Sequence, residues 1–276
     1  MKCFIKKFLS ALACLALLLS TLTLSACNAS VQEFFRDKHL NLEGYELSFC
    51  DEFEGDSLDL SVWEYRETGA RRDAFLHPDQ VSVRSGNLVI SGEYKDGAFG
   101  EGWYAGMIQL TEQYAYGYYE IRCIPNDSED FWSAFWLFHS DCYTHAISQG
   151  GIYGAEIDIF ETYKNHSLTT KEYVCTTIHC NGSDDDAENI DSYRVTKNFV
   201  PNLRTEYHTF GLMWTESEYI FYIDGYETAR TAFGSGVSTV AESVLVSLEP
   251  PNEINLDKSV RTEFIVDYVK IYKPKK

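Results

Sequence analysis

The sequence predicts an all-β fold, an antiparallel sandwich. Short runs rich in β-branched and aromatic residues recur with turn residues between them, and no stretch beyond residue 45 sustains helical periodicity. Val81–Arg84 and Leu88–Ser91 flank the turn Ser85-Gly86-Asn87 and read as strand, turn, strand. Tyr104–Leu110 and Tyr118–Ile124 follow, then Glu156–Glu161, Val174–His179 and Tyr207–Trp214. Tyr219–Ile223 runs into Asp224-Gly225, the strongest short hairpin signal in the chain. Ser243–Leu248 and Thr262–Tyr272 complete the set. No linker or repeat interrupts residues 45–274, which read as one domain.

Composition narrows the function. The 276 residues are 45% hydrophobic and 24% charged with 6 prolines, which excludes a collagen, a disordered tail and a disulfide-dense miniprotein. Lys+Arg 23 against Asp+Glu 42 gives a net charge of −19. Residues 1–26 hold three lysines and no acid, so their loss leaves 20 against 42, or −22. Such a surface repels phosphate backbones, which argues against nucleic acid; a neutral polymer is compatible. The 19 tyrosines and 5 tryptophans suit a surface that stacks on sugars.

Residues 1–26 read as an export signal. Lys2, Lys6 and Lys7 precede the uncharged stretch Phe8–Leu24. Leu24-Ser25-Ala26-Cys27 resembles the lipobox of bacterial lipoproteins, which implies cleavage before a lipidated Cys27 and a location outside the cytoplasm, anchored to the membrane. The alternative, an uncleaved membrane helix, is at the short edge for a bilayer core of roughly 30 Å. Residues 27–44 are a polar, unpatterned stretch expected to act as the lipidated tether. Five cysteines follow Cys27, an odd number, and Cys175 and Cys180 fall on opposite faces of a strand; no disulfide is expected.

The chemistry concentrates in Glu156-Ile157-Asp158-Ile159-Phe160-Glu161. A strand points Glu156 and Asp158 to one face and Ile157 and Ile159 to the other. Strict alternation would send Glu161 into the core and Phe160 out, which is unfavourable for both side chains. A single β-bulge reverses this and aligns the three acids in one row. Crowded carboxylates repel, so at least one keeps its proton to a raised pH, the asymmetry glycoside hydrolysis needs. A solvated acidic face or a calcium ligand set is the competing reading of the spacing alone.

The stretch resembles the Glu-x-Asp-x-x-Glu signature of family-16 glycoside hydrolases, the bulged variant of laminarinase-like and galactan-cleaving members. Other segments resemble that family in the same order: Asp51–Gly55 with Trp63, Ser85–Leu88, Tyr104–Gly106, Tyr116–Arg122, Trp132–Leu137, Tyr222–Gly225 and Val266–Tyr272. The resemblance implies a β-jelly roll of two bent sheets and a retaining endo-β-glucanase on internal β-1,3 or mixed β-1,3-1,4 links. Glu156 would be the nucleophile, Glu161 the acid/base, and Asp158 the residue that orients the nucleophile. Trp132 and Trp136 would floor the cleft, although core packing is the plain alternative, above all for Trp136 beside Phe135 and Leu137. His179 matches a histidine beside the acid/base in many members, and is otherwise a core hydrogen-bonding partner. Trp103 and Arg72 are further cleft candidates.

No catalytic cofactor is implied. A structural calcium is, at Glu52, Gly86 and Asp267. His139, Cys142 and His145 only caricature a zinc set, and Asp184-Asp185-Asp186 reads as a solvated loop. The partner expected is a polysaccharide, cut by a monomer. The alternatives are a galactan hydrolase of agarase or carrageenase type, and a non-catalytic glycan-binding lipoprotein.

Overall fold

The computed structural model describes residues 38–128, 130–143, 151–162, 172–180, 191–232 and 236–276. The export signal, Cys27, His145 and Asp184–Asp186 lie outside the described residues. Residues 42–276 form one compact unit.

The strands in chain order are β1 Tyr45–Asp51, β2 Trp63–Tyr65, β3 Gly69–Arg71, β4 Ala74–Leu76, β5 Val81–Arg84, β6 Asn87–Gly97, β7 Gly100–Ala105, β8 Met107–Leu110 and β9 Gly117–Ile124. They continue with β10 Trp132–Phe138, β11 Glu156–Glu161, β12 Tyr173–Cys180, β13 Asp191–Phe199, β14 His208–Trp214, β15 Tyr219–Ile223, β16 Tyr226–Thr231, β17 Ser243–Glu249 and β18 Arg261–Pro274. One sheet runs β16-β15-β14-β9-β18-β6-β7-β4-β3, with β1 added to β18 and β5 to β6. The other runs β13-β12-β11-β10-β17-β8-β2. The all-β expectation therefore holds, and the helical content of the described residues is confined to short 3-10 turns.

Three details follow from the sequence. Asp224 and Gly225 both take positive φ, 50° and 76°, the backbone that a two-residue hairpin between β15 and β16 requires. In β18 the buried positions alternate through Thr262, Phe264 and Val266, then shift by one to Val269 and Ile271 across a register break near Asp267. β10 is buried on both faces, which is why it reads as a continuous apolar run rather than an alternating one.

Two expectations are corrected. Tyr104–Leu110 is not one strand: it breaks at Gly106, with β7 in the first sheet and β8 in the second. Glycine permits this crossing, because a Cβ there would lie 2.8 Å from Val81 Cγ2. The sandwich is also not wholly antiparallel, since β4 pairs with β7 in parallel.

The core lies between the sheets. Behind the acidic segment, Phe160 of β11 stacks on Phe210 of β14 at 4.2 Å between ring centroids and meets Phe264 of β18 edge-on at 6.1 Å. These contacts tie the two sheets together beneath the acidic row.

Candidate active site

β11 lies between β10 and β12 and carries the expected kink. Against β10, Trp136 faces Asp158 while Phe135 faces Phe160, leaving Ile159 as the extra residue. Against β12, Asp158 faces Thr177 and Glu161 faces Cys175, three residues against two. The Thr176 hydroxyl donates to the Ile159 carbonyl at 3.1 Å, which occupies a backbone acceptor at the break in the ladder. Phe160 is thereby fully buried, and Glu156, Asp158 and Glu161 line one small cavity.

The acids differ in setting. Asp158 is buried, and its carboxyl is held well above the usual carboxylate range by burial and then by the charge of Glu156; a hydrogen bond with Glu161 acts in the opposite direction. Glu161 is also pushed well up, by burial first and by Asp158 second, against a hydrogen bond from Trp132. Crowded together in a desolvated setting, Asp158 and Glu161 therefore keep their protons to higher pH than isolated acids would. Glu156 is more open, its side chain 22% exposed. His179 Nε2 lies 3.1 Å from Asp158 Oδ2 and 3.9 Å from Glu156 Oε1.

The remaining candidates divide. Trp132, Trp136 and Arg72 line the cavity with the acids. The Trp132 indole donates to Glu161 Oε1 at 2.9 Å, and the Trp136 indole donates to Ser247 Oγ at 3.0 Å. The Arg72 guanidinium lies 4.9 Å from the centre of the Trp132 ring, so a face expected to be bare for sugar stacking carries a cation. Trp103 is not among the side chains that line the cavity. It packs edge-on against Tyr94 at 5.5 Å and Phe131 at 5.7 Å, because its place in β7 turns it into the core.

Arg71 and Glu249 line the cavity without having been anticipated. Buried Glu249 receives Arg71 Nε and Arg72 Nη1 on one oxygen, each at 2.7 Å. Alternation along β17 would have found it, since Leu245, Ser247 and Glu249 share a face with Trp136, Ala134 and Trp132 opposite. Arg71 and Arg72 belong to a loop-rich stretch with no periodic signal.

At the positions expected to hold calcium, the Asp267 carboxylate pairs with Arg122 and the Glu52 side chain accepts from Lys270 Nζ at 2.9 Å, which leaves the backbone oxygens of Glu52 and Gly86 as the other expected ligands. The zinc caricature gains no support, as His139 Nδ1 accepts from the Asp141 backbone at 3.2 Å. Among the described residues, the group with ligand atoms close enough to share a metal is Glu156, Asp158 and His179.

Comparison with known proteins bears on the family and the fold. The family profile described as "Beta-porphyranase A-D, GH16 domain" matches residues 46–274. Endo-1,3-1,4-beta-glycanase EglC of Rhizobium meliloti is 28% identical over 204 residues, 69% of this chain and 39% of its own length. ExsH, a glycanase of the same name and organism, is 31% identical over 158 residues, 54% of this chain and 30% of its own. The chain thus spans under half the length of these two relatives. Beta-porphyranase E of Zobellia galactanivorans is 27% identical over 187 residues, 64% of this chain and 65% of its own. Among solved structures, SCLam, a non-specific endo-beta-1,3(4)-glucanase, superposes with a TM-score of 0.69 at 20% identity, covering 86% of this chain and 94% of that one. LamA of Z. galactanivorans, in complex with laminaritriose and laminaritetraose, gives 0.65 at 19% identity, covering 82% and 98%. A kinked acidic strand on a two-sheet β fold and a family match over nearly all of the described domain lead to one assignment: the chain belongs to glycoside hydrolase family 16.

Proposed function

We propose that the protein is a retaining endo-β-glycosidase that cuts internal β-1,3 or mixed β-1,3-1,4 glucan links. The observation that carries the reading is the placement of two half-buried glutamates, Glu156 and Glu161, on the same strand face, with Glu161 pushed up by burial and by Asp158. In this mechanism Glu156 attacks the anomeric carbon while Glu161 passes its proton to the departing glycosidic oxygen. Glu161, now a carboxylate, then takes a proton from water as that water displaces Glu156 from the sugar. Asp158 and His179 flank Glu156 and would fix its aim, His179 Nε2 lying 3.1 Å from Asp158 Oδ2 and 3.9 Å from Glu156 Oε1. The rhizobial 1,3-1,4-β-glycanases support the glucan substrate as relatives. Anchoring through a lipidated Cys27 would hold the open cleft outside the cytoplasm, where long glycans are met.

A second reading is a galactan hydrolase. The porphyranase description of the family profile supports it, and so does Arg72, whose side chain is 34% exposed beside the cavity and offers N–H groups to an anionic substituent. Reducing-sugar release from laminarin, mixed-linkage glucan, agarose, porphyran and carrageenan, assayed side by side, separates the two. The glucanase reading predicts release from the first pair; release confined to the galactans replaces it with the second.

A further inference from the structure

Glu242 immediately precedes β17, and it is fully buried. Its backbone is clamped to Tyr114 in both directions, with N–H···O distances of 2.8 and 3.0 Å. Its side chain reaches the catalytic strand: Oε1 accepts the N–H of Ala155 at 3.0 Å. Ala155 is the residue before Glu156, is itself fully buried, and gives its carbonyl to the His139 N–H at 3.1 Å. Both backbone groups of the residue that launches Glu156 are therefore fixed, one of them by a glutamate.

We propose that Glu242 is a positioning residue, whose carboxyl fixes the lead-in to β11 and with it the aim of Glu156; the inference rests on the reading of Glu156 as the nucleophile. The surroundings favour a neutral acid there. Oε2 is buried without a hydrogen-bond partner, and so is the Tyr119 hydroxyl, which feels the field of Glu242. Burial pushes Glu242 up to about 8, with hydrogen bonds from Ser238 and Ala155 acting the other way. Among the described residues, no lysine or arginine contributes to holding its charge. The neighbouring ionisable groups, Tyr119 and Tyr114, are themselves pushed up by burial, Tyr114 to about 12, and supply no compensating charge. Above its titration the anion must draw water or move, and the first backbone it would carry with it is Ala155.

Three variants and two readouts test this. Glu242→Ala removes the acceptor, and kcat is expected to fall about tenfold or more with KM within about twofold. Glu242→Gln keeps an acceptor for Ala155 with no proton to lose. It is expected to recover most of the lost kcat and to flatten the decline of kcat between about pH 7 and pH 9. Amide hydrogen exchange at residues 155–157 reads the strand independently of turnover, and should quicken in the alanine variant and in the wild type at the higher pH. Glu156→Gln serves as the arm for the catalytic reading: activity in that variant removes the nucleophile assignment, while the exchange data still judge Glu242. Unchanged exchange and kcat in a folded Glu242→Ala protein overturns the proposal, as does exchange at residues 155–157 that quickens with pH in Glu242→Gln as it does in the wild type. If the alanine variant does not fold, the glutamine profile and the wild-type exchange rates decide.

Discussion

The Trp132 indole N–H donates to Glu161 Oε1 at 2.9 Å, so a tryptophan of the cavity wall also tunes the acidity of the proposed proton donor. That bond favours the carboxylate and opposes the upward push of burial. Trp132→Phe keeps the ring and removes the donor. Glu161 should then hold its proton to still higher pH, moving the alkaline limb of the kcat/KM profile upward, and its carboxylate should be the stronger base once the leaving group has taken the proton. A pH–rate series on a soluble oligosaccharide measures both effects.

Removing the Glu161 carboxyl separates its two duties. Glu161→Ala should lose about a hundredfold or more in kcat on a polysaccharide, within the range for loss of a general acid/base. With an activated aryl glycoside, added azide should restore turnover and give a β-glycosyl azide. Absence of that product from a folded variant counts against the retaining assignment.

Phe160 is expected to carry stability rather than chemistry. Its ring stacks 4.2 Å from Phe210 and meets Phe264 edge-on. Phe160→Ala should cost about 3–5 kcal/mol, the usual range for emptying an aromatic site in a core. Urea denaturation read by tryptophan fluorescence gives the value.

Deleting Ile159 removes the one residue that opposes no partner on β10. The shortened strand alternates regularly, with Glu156, Asp158 and Glu161 still on one face and Phe160 still inward. The variant is expected to fold and to keep measurable turnover, with kcat lowered about tenfold by the shift in geometry. Circular dichroism with an activity assay tests this, and a folded protein with no activity would show that the kink itself is required.

Buried carboxyls make stability depend on pH. In the folded protein Glu242 titrates at about 8, against 4.5 for an ordinary glutamate. The folded state therefore binds a proton that the unfolded chain releases. Its contribution is complete below the ordinary value and is lost progressively as pH rises through that window. Asp158 and Glu161, both raised, act in the same direction. Denaturation midpoints should fall from about pH 5 to about pH 9, and less steeply in Glu242→Gln.

Much of this arrangement was legible in the chain because alternation and burial left few choices. The conflict between Phe160 and Glu161 in a strict period of two has one inexpensive solution, and the structure adopts it. Asp224-Gly225 likewise dictates its hairpin. What escaped reading depends on contacts distant in sequence. Arg71 and Arg72 reach Glu249 across about 180 positions, which no local pattern encodes. Trp103 was a cleft candidate through the family resemblance alone, whereas its strand register turns it against Tyr94 and Phe131. The break at Gly106 was hidden because each half is a good strand by itself.

The ring stack behind the kink divides the labour of the strand. Phe160 and Phe210 secure its shape from the rear, leaving the acids free of any packing duty. A single exchange of Glu for Gln at the proposed nucleophile would therefore silence the proposed chemistry while preserving the groove, turning a glycan-cutting surface into a glycan-holding one without rebuilding its architecture.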